Sequence, residues 1–137
     1  MATIAQIQLA AAAGGGTIVD EEPTNQAWHV PATWVASAFG ASGRDLKMLE
    51  ISGDSMEPVL YAGDQVLINV ARRTPSPPGI FVVHDGFGLV AKQLELTPNS
   101  DPPEITLTSA NRRYPPYRRH IDEITIIGRV VWFGRRL

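Results

Sequence analysis

A mainly β fold with short helices is predicted for this 137-residue chain from three observations. Proline and glycine are frequent, at 11 and 12 residues, which favours many short strands and turns over long helices. The apolar residues come in short runs, at 65–70, 80–84 and 124–133, bounded by turn-forming residues. Between two such runs stands Asp85-Gly86, a pair that accepts the positive φ angles of a tight hairpin turn. One domain with a genuine core is expected at this length.

In chain order, residues 1–26 read as an extended arm. Ile4, Ile7 and Leu9 are loosely spaced, and Ala10-Ala11-Ala12-Ala13 then runs into Gly14-Gly15-Gly16. The alanines favour helix, but three glycines interrupt it and free the backbone. Such a segment is either a linker or a peptide that offers an open bond to a cleft. Residues 27–137 form the domain proper. Trp28 to Val30 make a short strand, Pro31 opens a helix over Ala32–Phe39, and Gly40 stops it, with Trp34, Val35 and Phe39 facing the core. A strand at 47–52 delivers the turn Gly53-Asp54-Ser55. One helical turn at 56–60 and a tight turn at Ala62-Gly63-Asp64 lead into the strand at 65–70. Residues 72–78 are a proline-rich loop. The hairpin about Asp85-Gly86 pairs 80–84 with 87–96, and a second hairpin through 97–104 brings in 105–109. Residues 112–119 read as an irregular loop and 124–133 as the last strand.

Composition removes several classes of function. With no cysteine there is no disulfide framework, thiolate metal site or cysteine nucleophile. A net charge of −2 provides no general attraction to nucleic acid. No apolar run approaches the roughly 18 residues that cross a membrane, and the first residues lack the basic start of a secretory signal. The expectation is a soluble cytoplasmic protein that needs neither metal nor cofactor.

Two residues stand out chemically. Ser55 lies in Gly53-Asp54-Ser55-Met56-Glu57-Pro58, after an apolar run and before a turn-forming Glu-Pro. Lys92 lies in the apolar sequence Leu89-Val90-Ala91-Lys92-Gln93-Leu94. A serine hydroxyl is a poor nucleophile until a base takes its proton. A lysine can be that base if burial strips its charge, since desolvation lowers its pKa by up to roughly 3–5 units. Amides near Asp54 and Ser55 would then face a developing oxyanion. The plainer readings are a turn serine capping the helical turn that follows, and a strand lysine on the solvent face with its stem over apolar neighbours. His29, His84 and His120 have no ligand spacing and read as structural or exposed. Asp20-Glu21-Glu22 reads as a solvated acidic run. Arg112, Arg113, Arg118 and Arg119 alternate with Tyr114 and Tyr117, but without a helix-turn-helix pattern they do not read as a DNA surface.

Taken together, Gly53-Asp54-Ser55-Met56-Glu57-Pro58, Ala62-Gly63-Asp64-Gln65-Val66-Leu67 and Val90-Ala91-Lys92 resemble the catalytic domain of LexA-type self-cleaving repressors, a family that includes phage CI repressors and UmuD. The segment from Asn111 to Pro116 and the run Ile127-Gly128-Arg129-Val130-Val131-Trp132 fit it as well, and phage-type helix-turn-helix repressors most of all. The resemblance covers about residues 12–137. It implies a LexA/signal-peptidase-like β fold whose amino-terminal arm enters its own active site. Ser55 would be the nucleophile, Lys92 the general base and later acid, amides near Asp54 and Ser55 the oxyanion hole, and Ala13–Gly14 the bond cut. It also implies a homodimer, with the apolar last strand as a candidate surface. Cleavage would be prompted by a RecA–single-stranded DNA filament or another activator in an SOS-type response to DNA damage, and DNA would be bound only through a helix-turn-helix domain not contained in this chain.

Only 13 residues precede the Ala13–Gly14 bond, so the reading is of the carboxy-terminal portion of a repressor. A UmuD-like accessory protein for a translesion polymerase is the alternative within the fold. Outside it stand a signal-peptidase relative that cuts other chains and a dimerisation or sensing module that does not cut.

Overall fold

The computed structural model describes residues 1–7 and 27–137. Its strands are β1 (Ala2–Gln6), β2 (Ala27–Val30), β3 (Leu46–Glu50), β4 (Gln65–Asn69), β5 (Gly79–His84), β6 (Leu89–Leu96), β7 (Glu104–Thr108), β8 (Tyr117–His120) and β9 (Thr125–Gly134). They join one sheet in the order β2-β1-β3-β4-β9-β5-β6-β7-β8. Helix α1 (Ala32–Phe39) and two short 3-10 turns complete the described elements. The mainly β fold with few short helices is the one the sequence predicts.

The predicted helix has the predicted limits. The Pro31 carbonyl accepts from the amides of Trp34 and Val35, and the Gly40 amide closes the last turn on Ala36 at 2.9 Å. Val35 is fully buried, with Trp34 and Phe39 packed beside it. The hairpin about Asp85-Gly86 is longer than a two-residue turn. Asp85 Oδ1 accepts from the amides of Phe87 and Gly88, so β6 starts at Leu89 and the Phe87 ring stands 94% exposed.

Two strands lie where the sequence reading had none. Residues 2–6, read as the start of the arm, form β1. It pairs antiparallel with β2, from Ala2↔Val30 to Ala5↔Ala27, and parallel with β3 through Ala5↔Lys47 and Gln6↔Met48. Burial of Ile4 and Ile7 secures it. Residues 117–120, read as loop, form β8 on β7, an edge strand with two exposed arginines. Charged side chains on an edge strand oppose pairing with further chains. The arm residues 8–26, including Ala13 and Gly14, lie outside the described residues.

Among the described residues the core forms three apolar clusters. One gathers Leu49, Ile51, Met56, Leu60 and Ala91, and a second Phe81, Val83, Leu94, Ile105 and Leu107. The third packs Ile4, Val35, Leu46 and Met48 beneath Trp28, Trp34 and Trp132. Strand β9, the candidate dimer surface, pairs with β4 over Arg129–Gly134 and with β5 over Thr125–Arg129. Its exposed residues are Thr125 and Phe133, of which Phe133 is the large apolar one.

One ion pair fastens the segment after Ser55 to the end of the chain. Arg135 donates from Nε to Asp64 Oδ1 at 2.8 Å and from Nη2 to Oδ2 at 2.7 Å, and the Tyr61 amide also donates to Oδ2. Asp64 is 1% exposed. The Arg135 hydrogen bonds hold its carboxyl below the ordinary carboxylate value, against the opposing effect of burial. A lowered folded pKa gives stability that is complete above the unfolded value of about 3.9 and is lost as pH falls through the folded value. Asp64→Asn is therefore expected to lower the melting temperature at pH 7, and the gap to the wild type should narrow in acid. Thermal melts at pH 7 and pH 3 check this.

Candidate active site

The site is built from two elements and the segment that ties them together. Ser55 lies in the connection from β3 to β4. Gly53 takes φ +74° there, a left-handed backbone that glycine adopts without penalty, and the chain turns so that Ser55 follows directly. The Leu60 amide bonds the Met56 carbonyl at 2.8 Å, making the single helical turn that the sequence predicts. Met56 and Leu60 anchor that turn in the first cluster. Ser55 itself is half-buried and lines a small cavity of about 80 Å³ with Ile51, Met56, Leu89, Val90 and Ala91.

Lys92 lies in the middle of β6. Alternation along a strand puts Val90, Lys92, Leu94 and Leu96 on one face, the face that packs into the second cluster. The lysine therefore occupies an apolar position and is 8% exposed. Burial pushes its amine below the ordinary lysine value, and the Asp85 carboxylate offsets part of this. Lys92 lines a second cavity of about 350 Å³ together with Asp85, Ser109, Tyr114 and Tyr117. Val90 lines both cavities, so the serine and the lysine face adjoining spaces.

The segment just after β7 connects them. Lys92 Nζ donates to Ser109 Oγ at 2.7 Å. Two residues further on, the Asn111 amide donates to the Ser55 carbonyl at 2.9 Å, and Asn111 Nδ2 donates to the Asp54 carbonyl at 3.0 Å. The Ala110 amide meets Met56 Sδ at 3.4 Å. Tyr114 adds a further tie: its hydroxyl donates to Asp54 Oδ1 at 2.5 Å, and its ring centroid is 5.9 Å from Lys92 Nζ. That hydrogen bond raises the Tyr114 phenol above its ordinary value, because it favours the protonated form.

Of the residues singled out in the sequence, Ser55, Asp54 and Lys92 are gathered here, while Ala13 and Gly14 lie outside the described residues. The Lys92 amine is bonded to Ser109 rather than to Ser55. Sequence reasoning passed over Ser109, Asn111 and Tyr114 as parts of the site. The signal for Ser109 was present: Ile105, Leu107 and Ser109 alternate as buried residues, so a hydroxyl stands at an apolar position just as the lysine does in β6. Of the arginines, Arg119 reaches the Lys92 cavity, which it lines together with Tyr117. Arg118 lies 3.9 Å from Glu104, and Arg119 stacks on Tyr117. No group of three or more His, Cys, Asp or Glu side chains among the described residues is placed to hold a metal ion.

The structure is a mainly β domain with Ser55 in the β3–β4 connection and a buried lysine, Lys92, on β6. The Peptidase S24-like family description matches residues 5–131, and the chain belongs to that family. Among curated proteins it is similar to the repressor protein CI of Enterobacteria phage phi80, at 27% identity over 124 residues. That match covers 90% of this chain and 51% of the repressor, so the chain spans about half the length of the curated relative. No helix among the described residues is long and apolar enough to cross a membrane.

Proposed function

We propose that this chain is the autoproteolytic and dimerisation portion of a LexA/CI-like transcriptional repressor, cutting its own Ala13–Gly14 bond with Ser55 and Lys92. The observation that carries the reading is the buried lysine, with its charge disfavoured, tied through residues 109–111 to the loop that bears Ser55. The similarity to a phage CI repressor supports a repressor over a polymerase accessory protein.

In the reaction the neutral Lys92 amine takes the Ser55 hydroxyl proton as Oγ attacks the Ala13 carbonyl carbon. The tetrahedral oxyanion is met by amides near Asp54 and Ser55. The C–N bond then breaks, and the Lys92 ammonium returns its proton to the Gly14 nitrogen. Water, deprotonated by the same amine, hydrolyses the acyl-serine and restores the hydroxyl. The small cavity beside Ser55 suits an alanine side chain, and glycine after it leaves the backbone unhindered. The full repressor would bind DNA through a helix-turn-helix domain and form a homodimer. It would cut itself when a RecA–single-stranded DNA filament or another activator favours the cleavable arm, in an SOS-type response.

Intact mass of the purified chain after prolonged incubation tests this directly. Fragments 1–13 and 14–137 are expected from the wild type and neither from Ser55→Ala. Equal cutting in both would remove Ser55 as the nucleophile.

A further inference from the structure

We infer that Ser109 is a positioning residue for Lys92, its hydroxyl fixing the amine that serves as the base. The inference rests on the self-cleavage reading and adds a third side chain to it. The β6–β7 ladder ends at the pair Gln93↔Thr108, and one step further along the same register Lys92 stands opposite Ser109. Both occupy apolar-face positions, with Ser109 buried beyond Leu107 and Lys92 buried between Val90 and Leu94. Two polar groups facing each other at the end of an apolar face have little water to bond, so each satisfies the other. The 2.7 Å contact is that pairing.

A neutral amine has two N–H groups and one lone pair, and it accepts a proton only along the lone pair. A single-bonded amine at the end of four methylenes rotates freely, and a base has to be held to be effective. Committing one N–H to Ser109 Oγ confines the lone pair to directions away from Ser109. Residues 109–111 then set the register of that hydroxyl against the Ser55 loop, through the Asn111 bonds to the Ser55 and Asp54 carbonyls. Burial of Ser109 separates this role from that of a nucleophile, which has to reach a substrate carbonyl.

The hydrogen bond also bears on titration. A hydroxyl acceptor stabilises an ammonium more than a neutral amine, so its removal leaves burial less opposed and lowers the Lys92 pKa further. The other ionisable groups lining the same cavity are Asp85, Tyr114, Tyr117, Arg119 and Glu123, and all of them remain in a Ser109 variant.

The test compares wild type, Ser109→Ala and Ser109→Thr in two readouts. The first is the self-cleavage rate from neutral to alkaline pH. The second is the titration of the Lys92 side chain, followed by NMR of the labelled lysine, which needs no cleavage. Ser109→Ala is expected to lower the alkaline plateau about ten-fold, less than the roughly 10²–10⁴-fold that a general base itself contributes, because the amine is still present. It should also move the midpoint and the NMR titration to lower pH, and threonine should restore both. A Lys92 titration unchanged by Ser109→Ala overturns the inference, as does a threonine variant as impaired as alanine. A shifted titration in a chain whose wild type never cuts would uphold the Ser109–Lys92 coupling and refute the self-cleavage reading.

Discussion

Lys92→Met is expected to slow self-cleavage about 10²–10⁴-fold, the range that a positioned general base contributes, and at the same time to raise stability at neutral pH. The two effects have one cause. Methionine fills the apolar position between Val90 and Leu94 without a charge to desolvate, but it has no lone pair for the Ser55 proton. The sign of the stability effect follows from the lowered folded pKa. Unfolded lysine titrates near about 10.4. Below the folded value both states are protonated and the native state carries the full penalty of a buried ammonium. Between the two values the native amine is neutral and the penalty shrinks as pH rises, and above the unfolded value it is gone. The advantage of the methionine variant should therefore be complete below the folded value and close as pH rises toward the unfolded value of about 10.4. Cleavage assays with denaturant melts at neutral and alkaline pH test both halves. A variant that cuts at the wild-type rate would show that Lys92 is only a core residue.

The second large effect is structural. Gly128 sits on β9 where the strand is bulged against both neighbours, between the register shifts at Leu67/Ile68 and at Val82/Val83. A Cβ there would lie 2.6 Å from the Asn69 carbonyl oxygen, 2.9 Å from its carbon and 2.6 Å from Ile68 Cγ2. Two of those atoms are backbone of the paired strand and cannot turn aside. Gly128→Val should destabilise the fold by roughly 3 kcal/mol or more, the upper end of overpacking costs, read as a lower denaturation midpoint with an unchanged slope. Gly79 provides the contrast: its added Cβ would meet chiefly the tip of the Arg129 side chain, which can move, so Gly79→Ala should cost much less.

Much of the fold was legible because its signals are local. Pro31 and Gly40 bracket α1 within the chain itself, and Asp85-Gly86 marks its hairpin. What escaped depends on partners distant in sequence. Strand β1 is too short to declare itself and is secured by β2 and β3, some 25 and 42 residues away. Strand β8 carries arginines that read as loop, and only pairing with β7 makes it a strand. In the site, Ser55 and Lys92 stand out by their local sequence and the resemblance pairs them, but neither spacing nor propensity distinguishes a buried lysine from a solvent-facing one. Their environment was less visible. Ser109 faces Lys92 only once β6 and β7 are in register, and Asn111 and Tyr114 reach the Asp54-Ser55 turn only when the chain after β7 folds back.

The central claim is that a lysine with a lowered pKa activates Ser55 against the Ala13–Gly14 bond. The most direct measurement is the rate at which fragment 14–137 appears, by intact mass, across a series from neutral to strongly alkaline pH. The account predicts one cut, after Ala13, at a rate that rises with pH and levels at a midpoint below the ordinary lysine value. A chain left whole at every pH, with or without an added RecA–single-stranded DNA filament, would contradict it, and so would a cut whose rate does not change with pH.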